Sequence, residues 1–212
     1  MNSTGDAPDA GKNGQCRTAT NVCTLRAALM EANWTSQPTR ITFNIPGGGV
    51  KTIQVSTRLP TIGNPGGVTL DGYTQPGAAA NTSSVVSNAR IMVEVRGQGR
   101  NSFDGLVFNN TPNNVVRGLS VYKFINQIIF TGLNADNNLI AGNIVCTNAA
   151  ATVQSAVSPK QIGIILQRGP AATASEPRLP PTRMSSRAAE TVGLPCLSRR
   201  RPATRCKTTS SA

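Results

Sequence analysis

Apolar and polar positions along the chain follow two different periods, one on each side of Trp34. In Cys23-Thr24-Leu25-Arg26-Ala27-Ala28-Leu29-Met30-Glu31-Ala32-Asn33, the residues Leu25, Ala28, Leu29 and Ala32 recur at i, i+3, i+4 and i+7, the spacing of one helix face. Thr24 is placed to cap the start of this helix and Asn33 to end it. Beyond it the period becomes two. Ile41-Thr42-Phe43-Asn44-Ile45, Val68-Thr69-Leu70-Asp71 and Ile91-Met92-Val93-Glu94-Val95 alternate or nearly so, with Gly, Pro or Asn between them. These segments predict short strands with one face buried.

The middle of the chain repeats itself. Asn113-Asn114-Val115-Val116-Arg117-Gly118-Leu119-Ser120-Val121 aligns with Asn137-Asn138-Leu139-Ile140-Ala141-Gly142-Asn143-Ile144-Val145 at an offset of 24, and Leu106-Val107-Phe108 aligns with Ile128-Ile129-Phe130 at an offset of 22. Self-similarity at this period predicts a solenoid. With β-branched strands and no helix per repeat, the predicted solenoid is a parallel β-helix whose turns stack ~4.8 Å apart. Asparagine at the corners tolerates left-handed backbone angles and can pair its amide with the same side chain one turn away. Asn113, Asn114, Asn137 and Asn138 are therefore read as structural. The helix is expected to cover the exposed N-terminal end of the stack, burying Leu25, Ala28 and Leu29.

Composition narrows the function classes. The 212 residues are 38% apolar, enough for a core, while the longest apolar runs fall far short of the ~18 residues of a spanning helix. With no histidine, the commonest general base and metal ligand is missing. The net charge of +12 suggests a polyanion partner until its position is considered: residues 167–212 hold nine Lys and Arg against two Asp and Glu. Past Gln167 that segment lacks Asn, Gln, Ile and aromatics, so it offers neither base-reading amides nor stacking platforms, and nucleic acid is not an expected partner. Its Pro, Arg, Ala, Thr and Ser content predicts disorder.

Five cysteines lie at 16, 23, 146, 196 and 206. Cys16 and Cys23 are either a local disulfide, whose short loop would contribute roughly 2.5 kcal/mol, or two free thiols; zinc would require two more ligands nearby. A disulfide implies an oxidising compartment. Met1-Asn2-Ser3-Thr4-Gly5-Asp6 shows no charged n-region or apolar h-region, so either an export signal was lost in assigning the start or the disulfide reading fails.

The segment Cys23 to Asn33, "CTLRAALMEAN", resembles the signature of the CSLREA-domain proteins, and the resemblance extends through Leu59-Pro60 and Asp71-Gly72-Tyr73-Thr74-Gln75-Pro76-Gly77 to about Gln167. Ala27 stands where that family's signature carries Glu, and the pattern is lost after Gln167. The resemblance implies a right-handed parallel β-helix of pectin-lyase type, all-β with a short N-terminal capping helix, in secreted or surface-displayed bacterial proteins. The expected organisation is a cysteine loop and capping helix at 1–33, β-helix turns at 34–167 and a basic tail at 168–212.

Enzymes sharing this architecture use clustered aspartates, or Ca²⁺-binding carboxylates with an Arg or Lys base. Asp71 and Glu94 are the carboxylates that alternation points outward, and a spacing of 23 would stack them on adjacent turns near Arg96, Arg100, Arg117 and Lys123. The competing structural reading ends a strand at Asp71 and pairs Glu94 with Arg96 or Arg117. Tyr73, Trp34 and Tyr122 could stack on a sugar, Trp34 being the one best suited to packing instead. The expected function is that of a non-catalytic extracellular or surface β-helix, contacting polysaccharide or cell surface, incomplete at both ends, with no resident cofactor. The alternative is a polysaccharide lyase or hydrolase, with Ca²⁺ only in the lyase. The tail itself reads as a frameshift: from Ala171 onward the shifted frame permits "GNRIGTPAAADANVISG", which restores the Asn-x-Ile pattern of the turns.

Overall fold

The computed structural model describes residues 1–99, 103–153, 162–167 and 192–195. The helix forms as α1, Leu25–Asn33. Thr24 is its extended N-cap, with Oγ1 accepting from Ala27 N at 3.0 Å and donating to Ala7 O at 2.7 Å. The helix ends at Asn33, as read, and the C-cap that follows is Trp34, still right-handed at φ −89° and ψ −2°. The Asn33 amide anchors that end, Nδ2 donating to Thr61 O and Oδ1 accepting from Gly63 N.

Strands β1 Thr39–Thr42, β2 Lys51–Gln54, β3 Val68–Asp71, β4 Val93–Arg96, β5 Leu106–Asn109, β6 Val115–Arg117, β7 Leu119–Tyr122, β8 Asn126–Thr131, β9 Leu139–Ala141, β10 Ile144–Val145, β11 Ile162–Gln167 and β12 Val192–Pro195 follow. They form three sheets, β1-β3-β6-β9, β2-β4-β7-β10 and β5-β8-β11-β12, and from β3 to β11 the chain visits the sheets in strict rotation. Every pairing among these described strands is parallel except β11 with β12. The described part is thus mostly strands in parallel sheets, with one short helix. Of the tail expected to be disordered, Val192–Pro195 pairs antiparallel with β11, and the rest lies outside the described residues.

The registers match both internal repeats. Val115 lies opposite Leu139 and Ser120 opposite Ile144, the offset of 24, while Leu106, Val107 and Phe108 lie opposite Ile128, Ile129 and Phe130, the offset of 22. Two strands are displaced from the alternating segments: β1 ends at Thr42 and β4 begins at Val93. Alternation reports burial, and Ile41, Phe43 and Ile45 are all buried, but the ladder to β3 stops where that strand turns into a 3-10 segment, Gly72–Thr74. Side chains continue it instead, Phe43 N donating to Thr74 Oγ1 and Ile45 N to Gln75 Oε1.

Inward residues of the three sheets, such as Ile53, Leu70, Val93, Leu106, Val116 and Ile128, are fully buried in one core. Phe108 and Phe130 stack in it with centroids 4.4 Å apart. Leu25, Ala28, Leu29 and Ala32 of α1 join the same core. The helix is tied to the segment between β2 and β3, Arg26 donating to Thr57 O and Arg58 O, and so lies at the end where β1 and β2 are edge strands. The corner asparagines divide the work: Asn113 and Asn137 take the left-handed angle, φ 59° and 55°, while Asn114 and Asn138 are buried and joined, Asn138 Oδ1 accepting from both Asn114 N and Asn114 Nδ2.

Candidate functional site

Asp71 ends β3 on the side of its sheet away from the core. Its neighbours in register are Thr42 and Arg117, and its side chain is 1% exposed. Arg117 binds it through both oxygens, Nε to Oδ1 at 2.9 Å and Nη2 to Oδ2 at 2.6 Å, and Arg40 Nη2 reaches Oδ2 at 2.7 Å. Burial opposes the carboxylate charge, but the two guanidinium partners outweigh it and hold Asp71 below the usual carboxyl range. Both oxygens accept from cations, so Asp71 does not fit the role of a Ca²⁺ ligand: the adjacent guanidinium charges repel a metal.

Tyr73 packs beside this cluster. A Cβ on Gly118 would press on its ring, and one on Gly142 would overlap its hydroxyl, which donates to Gly142 O at 2.8 Å. The glycine four residues after each laddered asparagine therefore makes room for Tyr73 across two successive strands. Burial, then the nearby Asp71 charge, raises the Tyr73 pKa against the opposing Arg117.

Glu94 lies in a different sheet. The expectation that it stacks on Asp71 is corrected by the register: Glu94 in β4 sits between Thr52 and Ser120, while Asp71 sits between Thr42 and Arg117. The 23-residue interval carries the chain from one sheet to the next instead of completing a turn. The alternative pairing of Glu94 with Arg96 or Arg117 is also replaced. Glu94 Oε2 accepts from Thr52 Oγ1 at 2.8 Å and Tyr122 Oη at 3.0 Å, and Oε1 accepts from Ala149 N at 2.8 Å. Both carboxylates are buried at outward-facing positions, because long neighbours fold over them.

Burial and then the hydrogen bond to Glu94 push the Tyr122 hydroxyl up to about 12. Arg96 lies beside Tyr122 in register, and its Nε is buried without a hydrogen-bond partner. Arg100 lies outside the described residues, and Lys123 follows β7 at φ 63°. Cys16 and Cys23 form a disulfide with Cα atoms 5.1 Å apart.

Both tyrosines are thus tied into the scaffold, whereas Trp34 lines a groove of about 610 Å³ together with Cys16, Ala28, Ala32, Arg40 and Ile41. Sequence reading passed over Arg40, Thr52 and this groove. Arg40 and Asp71 are 31 residues apart, and no motif marks such a pair; the alternation of β1, which puts Arg40 outward, was the available signal. Comparison of the chain with protein-family models, with curated proteins and with solved structures finds no match in any of the three.

Proposed function

We propose that this chain is a right-handed parallel β-helix akin to the CSLREA-domain proteins, and that it serves as a non-catalytic scaffold in a secreted or cell-surface setting. The rotation of strands through three sheets and the stacked Asn and Phe pairs support the solenoid reading. The Cys16–Cys23 disulfide supports an oxidising compartment. The observation that carries the passive role is the state of the two carboxylates. Asp71 is neutralised by two arginines and Glu94 is consumed by a threonine, a tyrosine and a backbone amide, on separate sheets. Acid–base or metal-assisted cleavage of a polysaccharide needs carboxylates that converge on one substrate.

The test is incubation of the full chain with polygalacturonate, with and without Ca²⁺, following unsaturated products and new reducing ends, alongside equilibrium binding to the same polymer. Binding without cleavage, or neither, agrees with a scaffold. Turnover abolished by Asp71→Asn or Glu94→Gln would replace it with a lyase or hydrolase.

A further inference from the structure

Asn13-Gly14 is the one Asn-Gly pair in the sequence, and it lies on an exposed bend, residues 12–15, just ahead of the cysteine loop. An asparagine followed by glycine can close on itself, because no Cβ keeps the next amide nitrogen away from the side-chain carbonyl carbon. The space around Gly14 is open: a Cβ there would meet nothing within 4 Å. Two hydrogen-bonding partners also fix the groups that would react. Gln15 N donates to Asn13 Oδ1 at 2.9 Å, which holds the side-chain carbonyl over the bend and polarises its carbon. On the other side, Gly14 N donates to Glu31 Oε2 at 3.2 Å and Asn13 N donates to Glu31 Oε1 at 3.2 Å.

Glu31 belongs to α1 and is half-buried, so its carboxylate is presented to the bend by a fixed element. A nucleophilic nitrogen, an acceptor for its proton, a carbonyl carbon and a donor to that carbonyl's oxygen thus meet in one turn. The two Asp-Gly pairs of the chain are not arranged in this way. Asp71 is held by Arg40 and Arg117, and at Asp104-Gly105 the glycine N donates to Asn126 O.

We propose that Asn13 is a self-modifying residue, which the folded chain converts to an aspartyl or isoaspartyl linkage with Glu31 as the general base. Gly14 N bonds to Asn13 Cγ while its proton passes to Glu31. The Cγ–Nδ2 bond breaks, and the nitrogen leaves as ammonia with that proton, giving a five-membered succinimide. Water then adds to one of the two imide carbonyls. Opening at Cγ leaves an aspartyl residue; opening at the main-chain carbonyl leaves an isoaspartyl residue, whose backbone runs through Cγ. Either product sets a new carboxylate against Glu31, and the bend comes away from α1.

The experiment incubates the full chain in neutral buffer and follows isoaspartate by methyltransferase labelling, with mass mapping of the tryptic peptide 13–17 after reduction. The comparators are Glu31→Gln, Asn13→Gln and a free peptide spanning residues 11–17, which carries the same Asn-Gly pair without Glu31. The native chain should react about 10-fold faster than the peptide, and Glu31→Gln should fall to the peptide's rate or below it. Asn13→Gln should remove the signal. A native chain no faster than the peptide overturns the proposal, since the fold then adds nothing to the dipeptide. So does a folded Glu31→Gln chain that reacts as fast as the native one, or isoaspartate that persists in Asn13→Gln. The comparison of native chain with peptide needs no variant, and it decides the matter even where Glu31→Gln fails to fold.

Discussion

Tyr122 and Asp71 are held in opposite protonation regimes, and each gives the stability of the chain its own pH limb. The Tyr122 hydroxyl donates to Glu94 and titrates near 12, above its ordinary value of 10. Its contribution is therefore complete below pH 10 and is lost as pH rises through about 12. In urea unfolding, the native chain should lose on the order of 2 kcal/mol more than Tyr122→Phe across that window. Parallel curves would mean that neither burial nor the bond to Glu94 raises this hydroxyl. Asp71 is depressed, so its contribution is present above the usual carboxyl range and is lost as pH falls through the lowered value. Asp71→Asn should cost roughly 1 kcal/mol at neutral pH, discounted for the exposure of both arginines, and should lack that acid limb.

At the scale of the element, α1 depends on Thr24 and the sheets on the asparagine ladder. Thr24→Ala removes the acceptor for Ala27 N and should cost about 1 kcal/mol in thermal or urea unfolding, with Thr24→Ser nearly neutral. Asn114 accepts from Val68 N and donates to Thr111 O and Asn138 Oδ1, all buried. Asn114→Ala strands those groups without water, and a loss of about 3 kcal/mol is expected. A cost below about 1 kcal/mol would show that the ladder is ornamental to stability. Gly118 and Gly142 recur for a different reason: a Cβ at either would collide with Tyr73.

At the scale of the whole molecule, the described residues cover one end of the first two sheets and leave edge strands at the other. The α1 end is closed by the helix, by the Cys16–Cys23 loop and by Arg26, which reaches Asp6 as well as the backbone beyond β2. Replacing both cysteines of that loop, Cys16→Ser with Cys23→Ser, should lower stability by roughly 2.5 kcal/mol in urea unfolding. At the opposite end β9 and β10 are edge strands, Leu139 is 42% exposed, and Asn138 Nδ2 is buried without a partner. Such an edge templates further pairing, so the isolated chain is expected to self-associate in sedimentation velocity; a monodisperse monomer would contradict this. The coding DNA bears on the same end: a shifted frame past codon 168 that lacks Asn-x-Ile-x-Gly turns would make the basic tail genuine.

Where each rule is local, the chain alone was enough. The i, i+3, i+4, i+7 face of α1, the alternation of β3 and the offsets of 22 and 24 between Leu106 and Val145 all appear as read, because there each strand's neighbour lies one short turn away. Elsewhere the interval between paired strands stretches: Thr69 meets Val115 and Lys51 meets Val93, with long loops between. Those loops erase the period, so the sequence could not say which sheet Asp71 or Glu94 occupies, and stacking them 23 residues apart was an error of that kind. Only the folded chain decided that Arg40 and Arg117 close over one carboxylate and Tyr122 over the other, because those partners are chosen by register between strands distant in sequence. Burial could be read from periodicity; the identity of a neighbour across a sheet could not.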